Sequence, residues 1–81
     1  MTTTTPTQQV AENVRAEVAR SGLSQASLRI ELGLKQQSIS RRLAGRTPFS
    51  VDEAFAVADL LGVPASEIFP TSRHEAAEVT L

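Results

Sequence analysis

The side chains best suited to chemistry in this sequence are amides and bases concentrated in one stretch, residues 34–46, LKQQSISRRLAGR. This stretch holds four of the eight basic residues of the chain, together with the adjacent Gln36 and Gln37. A glutamine amide both donates and accepts, which matches N6 and N7 of adenine, and an arginine donates twice, which matches O6 and N7 of guanine. On an exposed surface, such residues can hydrogen-bond to base edges and pair with phosphates.

The basic residues are concentrated although the chain as a whole is slightly acidic. Residues 24–50 carry five basic residues and one acidic residue, for a net charge of +4, whereas residues 51–81 carry six acidic and one basic residue, for −5. The remaining N-terminal residues are balanced, which leaves the overall charge of −1. Attraction to phosphate depends on positive potential within a Debye length of about 8–10 Å. The overall acidity therefore does not exclude a nucleic-acid partner.

Apolar residues recur every three or four positions and predict helices, and the glycines mark where helices end. Val10, Val14 and Val18 form the first apolar stripe. Each of the four glycines follows the last apolar residue of a stripe, where a left-handed conformation commonly ends a helix. No alternation with a period of two is long enough to suggest a strand. The sequence therefore predicts a compact all-α domain of five short helices, at about residues 7–21, 25–32, 36–44, 51–61 and 65–69.

The second and third predicted helices, 25–32 and 36–44, are joined by only three residues, which predicts a helix-turn-helix. The residues expected along the seam between these helices are Leu28, Leu32, Ile39 and Leu43. Those expected to close the core from the first and fourth helices are Val14, Val18, Phe55 and Leu61. Phe49 is also expected in the core, while Ile68 and Phe69 either close the core or form a dimer patch.

Two segments, LSQASLRIELGLKQQSISRRLAG and VDEAFAVADLLGVPASEIF, resemble the Cro and phage-repressor class of helix-turn-helix DNA-binding domains, also called Xre-like. The resemblance covers about residues 10–69, and SRRLAGRTPFS is similar to forms found in actinobacteria and their phages. It implies a five-helix, repressor-like domain whose third helix enters the major groove of DNA. It also implies a homodimer that binds two half-sites.

The resemblance further implies which side chains contact DNA. Contacts with base edges are expected from Gln36, Gln37, Ser38 and Arg41. Contacts with phosphates are expected from Gln25, Lys35, Ser40, Arg42 and Arg46. For Gln36, Gln37 and Ser38 the alternative is a polar helix start with no partner, and for Arg41 and Arg42 it is a solvated helix face. Ser40 could bond within its own turn of helix, and Arg42 could pair with Glu31 or with an acidic residue of the fourth helix.

Three positions depart from the pattern of the family. Lys35 stands at the N-cap of the third helix, where serine or threonine is usual, and it caps poorly but could hold a phosphate. Arg29 replaces a small residue, and its long stem can pack while its head reaches solvent. Val18 and Leu43 stand where many relatives pair an arginine with a glutamate, and an apolar pair there is no weaker.

Composition excludes several other classes of function. The chain has no cysteine, and His74 is its only histidine, which leaves too few groups for a metal site or a catalytic triad. We therefore expect no enzymatic activity, no metal and no cofactor. No signal peptide and no run of about 18 apolar residues is present, so the sequence predicts a cytoplasmic protein without a membrane-spanning segment.

The chain is predicted to comprise a flexible arm over residues 1–6, a DNA-binding domain over residues 7–70 and an acidic tail over residues 71–81, disordered or a short helix. The function predicted is transcriptional regulation, by a repressor or Cro-like protein that binds a specific double-stranded DNA operator as a homodimer. The alternative is an antitoxin or adaptor that binds a protein partner through the acidic C-terminal region, ASEIFPTSRHEAAEVTL.

Overall fold

Four α-helices and one 3₁₀ turn form residues 4–70, the part of the chain that the computed structural model describes. They are α1 (Pro6–Ser21), α2 (Gln25–Leu32), α3 (Gln36–Leu43), α4 (Val51–Leu61) and the 3₁₀ turn Ala65–Glu67. No strand occurs within these residues, which confirms the all-α prediction. Each of the first four predicted helices begins and ends within one residue of the bounds expected from the sequence.

The predicted fifth helix, over residues 65–69, is only a 3₁₀ turn, so the count of five helices is not confirmed. Pro64 and Pro70 stand on either side of it, and the second of them has no backbone N–H with which to continue a helix. The few residues between the two prolines cannot propagate an α-helix. The turn still brings Ile68, the residue after it, into the core.

The start of α1 is fixed by a reciprocal cap. Thr5 Oγ1 accepts from the N–H of Gln8, and Gln8 Oε1 accepts from the N–H of Thr5, both at 3.1 Å. Pro6 is the first helical residue, where its missing N–H costs nothing. The helix therefore takes in the end of the segment predicted as an arm, while residues 1–3 of that arm lie outside the described residues.

Gly33 and Gly45 let the chain turn on either side of α3. All four glycines have positive φ, as their positions predict. Gly33, with φ 66°, ends α2 and leads into α3. Gly45, with φ 79°, also lies close to α1, because a Cβ there would stand 3.2 Å from Cγ and 3.3 Å from Cα of Gln8. A side chain at position 45 would thus be strained in its backbone and would push α1 away from the end of α3.

The core lies where the four α-helices and the residue after the 3₁₀ turn meet. Its buried apolar residues are Ala11, Val14, Leu28, Ile39, Leu43, Ala54, Val57, Ala58 and Ile68. Four of the residues predicted for the core are among them, and the burial of Val14, Leu28, Ile39 and Leu43 is confirmed. Partly buried residues that pack against this cluster include the predicted Val18, Leu32, Phe49 and Leu61.

Phe55 is the exception, because 52% of its surface is exposed and the prediction that it closes the core is wrong. The buried face of α4 runs through Ala54 and Ala58, and Phe55 lies about 100° further round the helix from the first of these. Its ring packs instead against half-buried Phe69, with the centroids 5.6 Å apart. Fully buried Ile68 closes this end of the core.

α2 and α3 pack against each other as the two helices of a helix-turn-helix, and α1 and α4 support them. α1 contacts α3 and α4, whereas α4 contacts α2 and the 3₁₀ turn. Asn13 Nδ2 donates to the carbonyl of Ile68 at 2.8 Å, which ties the end of the domain to α1. Over residues 4–70, no helix combines the length and the apolar character needed to cross a membrane.

Candidate nucleic-acid interface

α3 has one buried apolar face and one exposed polar face. Ile39 and Leu43 are buried in the core. The exposed residues that were predicted to contact DNA from this helix are Gln36, Gln37, Ser40 and Arg41, while Ser38 and Arg42 are half-buried at the boundary. Because Ile39 and Leu43 fix the rotation of the helix, its first turn and outer face are available to a partner.

The first residues of α2 and α3 contact each other through two exposed glutamines. Gln36 Nε2 donates to Oε1 of Gln25 and to Oγ of Ser40, both at 3.4 Å. The structure therefore brings together three of the side chains predicted to contact DNA. Gln25 and Gln36 also open their helices, and helix N-termini offer free N–H groups and partial positive charge to a phosphate.

Lys35 occupies the N-cap position of α3 without capping it. Its backbone is extended, with φ −78° and ψ 158°, and its side chain makes no cap hydrogen bond. Ser24 and Ser50 hold the same position before α2 and α4, and each accepts from the backbone N–H three residues further on. The exposed ammonium thus stands at the positive end of α3, an unfavourable placement that a bound phosphate would offset.

We expect Lys35→Ser to stabilise the protein and to weaken its binding to DNA. A serine cap is worth about 0.5–2 kcal/mol, and each kcal/mol raises Tm by roughly 4–8 °C in a domain of this size. Loss of one phosphate contact would flatten the dependence of log affinity on log salt concentration by about one unit. Thermal unfolding and DNA titrations at several salt concentrations measure the two effects. Unchanged or tighter binding would show that Lys35 does not contact DNA.

Arg41 and Arg46 border the same shallow cavity at the C-terminal end of α3. The cavity has a volume of about 220 Å³ and is lined by Ser40, Arg41, Ala44 and Arg46. Both arginines are exposed, and neither forms an ion pair with any other residue of the described part of the chain. Two guanidinium groups without a counter-charge make this cavity attractive to an anion such as a backbone phosphate.

Arg42 is turned toward α4 rather than toward the outer face of α3. Its Nε donates to Oε1 of Glu53 at 3.0 Å, and its Nη1 donates to the carbonyl of Ser38 at 3.2 Å. The side chains of the ion pair are only 18% and 20% exposed. This is the alternative that the sequence left open, an acidic partner on the fourth helix. It argues against the phosphate contact expected of Arg42, because the charge of the guanidinium is already paired with that of Glu53.

Glu53 serves both the start of α4 and the ion pair with Arg42. Its carboxylate accepts from the N–H of Ser50 at 2.9 Å, and its own N–H donates to Ser50 Oγ at 3.0 Å. Partial burial alone would raise the pKa of Glu53. The hydrogen bonds from Ser50 and Arg42, together with the positive charge of Arg42, outweigh burial and lower this pKa below its ordinary value.

The lowered pKa of Glu53 predicts a contribution to stability that depends on pH. A carboxyl with a lower pKa in the folded state stabilises the fold above its ordinary pKa of 4.5, and this stabilisation is lost as the pH falls through the folded-state pKa. We expect Glu53→Gln to lower the free energy of unfolding by about 1 kcal/mol near neutral pH. In acid, the two proteins should become equally stable. Denaturant titrations of both proteins measure this, and a difference independent of pH would contradict it.

Arg15 of α1 contacts α3 in a way that the sequence did not predict. Its Nη1 donates to the main-chain carbonyl of Leu43, the last residue of α3. The resemblance suggested only the apolar pair Val18 and Leu43 between these helices. A cation at a helix C-terminus is favourable, and the carbonyls there lack partners within the helix. A bond to a main-chain carbonyl leaves no mark on the residue pattern, so no signal in the sequence could have revealed it.

Arg29 lies on α2 and is half-buried. Half-burial agrees with a stem that packs while the guanidinium reaches solvent, as expected for a long side chain where the family has a small one. The helix-turn-helix therefore accommodates an arginine at this position.

Comparisons with known proteins agree with the geometry of α2 and α3. The helix-turn-helix family (HTH_3) matches residues 14–68. The restriction-modification controller protein C.AhdI from Aeromonas hydrophila has a similar structure, with a TM-score of 0.67 and 23% identity, covering 75% of this chain and 92% of that one. The hypothetical transcription factor NHTF from Neisseria is also similar, with a TM-score of 0.71 and 23% identity, covering 93% of this chain and 85% of that one. No curated protein sequence matches significantly.

Proposed function

The chain belongs to the helix-turn-helix family, and on this premise we propose that it is a DNA-binding transcriptional regulator whose α3 enters the major groove of a specific operator. The residues that read base edges in this proposal are Gln36, Gln37, Ser38 and Arg41. Those that hold phosphates are Gln25, Lys35, Ser40 and Arg46. Arg42 is left out because its guanidinium pairs with Glu53.

The observation that carries this proposal is the division of α3 into two faces. The major groove is wide enough to admit an α-helix, but the helix reads the sequence directly only if its outer face carries groups that contact base edges. α3 supplies exposed amides in its first turn and an exposed arginine one turn later, while Ile39 and Leu43 hold it on the domain. Lys35 before the helix and Arg46 after it form no ion pair within residues 4–70, and in this proposal each would lie near a DNA strand.

We further propose that the protein binds its operator as a homodimer. One recognition helix reads only a few base pairs, which gives too little discrimination against the competing sites of a genome. Two copies related by a two-fold axis would read two half-sites about 34 Å apart, or one turn of the double helix. The operator should therefore be an inverted repeat.

Selection from a pool of random duplexes with the full 81-residue chain tests both proposals. The expected result is one enriched motif with two-fold symmetry, bound with an affinity that falls steeply as salt concentration rises. Gln36→Ala serves as a control that keeps the core intact, and it should lose the preference at one base pair of each half-site. Absent or salt-insensitive binding would contradict the proposed function, and an asymmetric motif would contradict the dimer.

The alternative of an antitoxin or adaptor depends on the acidic C-terminal region. Most of that region, residues 71–81 with His74, lies outside the described residues. Nothing in residues 4–70 favours this alternative over binding to DNA. A protein partner, an actinobacterial or phage origin and the lack of enzymatic activity stay predictions from the sequence.

A further inference from the structure

The amide nitrogen of Gln36 donates to two neighbouring side chains. Nε2 donates to Oε1 of Gln25 and to Oγ of Ser40, each at 3.4 Å, and its two hydrogens are enough for these two bonds. A primary amide has only these two hydrogens, whereas its carbonyl oxygen has two lone pairs. In this arrangement Oε1 of Gln36 is the group left to face a partner, and it can only accept.

The direction of this chain of hydrogen bonds is consistent with a phosphate next to Gln25. Oε1 of Gln25 accepts from Gln36, so Nε2 of Gln25 is free to donate outward. Phosphate oxygens only accept, and they would repel a carbonyl oxygen turned toward them. A phosphate beside Gln25 would therefore favour the orientation in which Gln36 donates to Gln25 and Gln25 donates to the phosphate.

We propose that Gln36 reads its base through Oε1 alone, and that Ser40 determines this specificity by occupying the second N–H of the amide. The proposal rests on the proposed function, since it assumes that α3 lies in the major groove. The base must then present an amino group, which in that groove is N6 of adenine or N4 of cytosine. Thymine and guanine present only acceptors at the corresponding edge and are excluded.

Removing the hydroxyl of Ser40 should change what Gln36 can read. In Ser40→Ala, one N–H of Gln36 is released and can donate to N7 of adenine while Oε1 accepts from N6. This two-bond contact is possible with adenine and not with cytosine. Ser40→Thr retains a hydroxyl at the same place and should read DNA as the unchanged protein does. The hydroxyl of Ser40 can accept from Gln36 and donate to a phosphate at the same time, and losing the proposed phosphate contact should lower the affinity for all duplexes equally, which separates it from the change at this base.

Base analogues in the selected duplex test the proposal. Selection with the full chain and with Gln36→Ala first identifies the base pair read by Gln36, where the preference disappears, and analogues placed on one strand at a time then identify the base. If the base is adenine, replacing it with purine, which lacks the amino group, should lower the affinity about five- to tenfold because one hydrogen bond is lost. Replacing it with 7-deaza-adenine should leave the affinity unchanged. Ser40→Ala should lose affinity with both analogues. If it is cytosine, 2-pyrimidinone should lower affinity, and Ser40→Ala should shift the preference toward adenine.

Two results would overturn this proposal while leaving the function intact. One is a base pair at which removing the amino group of adenine or cytosine leaves the affinity unchanged, since Gln36 would then contact an acceptor of thymine or guanine through Nε2 rather than Oε1. The other is an equal loss of affinity for the 7-deaza-adenine duplex by the unchanged protein and by Ser40→Ala. This would mean that Ser40 does not occupy the second N–H of Gln36. If no motif is enriched at all, the proposed function fails, and the inference fails with it.

Discussion

Ile39→Ala is expected to lower the free energy of unfolding by about 2–5 kcal/mol, the largest effect on stability of any change considered. Ile39 is fully buried on the inner face of α3, and it belongs to the same core cluster as Leu28 and Val14. Small domains are stable by only about 5–15 kcal/mol, and this one has no disulfide to add to its core. The variant should therefore lose DNA binding together with its fold at moderate temperature.

Ile30→Ala is the matched control for this prediction. Ile30 lies on α2 and is 71% exposed, so the same substitution should change the free energy of unfolding by no more than about 0.5 kcal/mol. Both changes remove the same atoms from a helix and gain the same helix propensity, which leaves burial as the difference between them. Denaturant titrations of the two variants measure it. Equal losses would contradict the position of Ile39 in the core.

The bounds of the helices could be predicted because they depend on residues close together in the sequence. A hydroxyl cap acts on an N–H two or three residues away, and a glycine ends a helix where it stands. Ser50 and Glu53 are visible in the sequence as a capping pair, and α4 begins between them at Val51 as expected. The fifth helix was not confirmed because the residues between its two flanking prolines are too few to form an α-helix, and a cap cannot make up for that length.

The position of Phe55 could not be predicted because it depends on how α4 meets its neighbours. Ala54 and Phe55 both fall within the apolar stripe of this helix, and either could face inward on pattern alone. The close approach of α4 to α2 favours the smaller side chain at the contact, so Ala54 is buried and Phe55 is left at the edge. Helix periodicity gives the face of a helix but not the angle at which it packs.

The exposed face of the candidate interface could be predicted, whereas the partners of its side chains could not. Ile39 and Leu43 are one turn apart, and their burial leaves Gln36 and Arg41 outside. Arg42 had two acceptable kinds of acidic partner in the sequence, and only the packing of α3 beside α4 selects Glu53. The contacts of the exposed residues with DNA stay predictions.

Arg41→Ala is expected to weaken binding to the selected operator more than binding to random duplexes. A two-bond contact between an arginine and guanine is worth about 1–3 kcal/mol, so affinity for the operator should fall roughly 5- to 150-fold and the preference at one base pair should relax. Affinity for random duplexes should fall only through the lost charge. Titrations with both kinds of duplex measure the difference.

Arg46→Ala is the matched variant, because it removes the same side chain from the other side of the same cavity. Because Arg46 is proposed to contact a phosphate, Arg46→Ala should weaken binding to all duplexes by the same factor. It should also flatten the dependence of log affinity on log salt concentration by about one unit. Arg20, whose guanidinium pairs with Glu17 on α1 at 3.0 Å, should have no such effect when replaced by alanine. Equal losses from Arg41→Ala and Arg46→Ala on every duplex would show that Arg41, like Arg46, contacts a phosphate rather than a base. Sequence reading by α3 would then depend on its first turn alone, where Gln36, Gln37 and Ser38 lie.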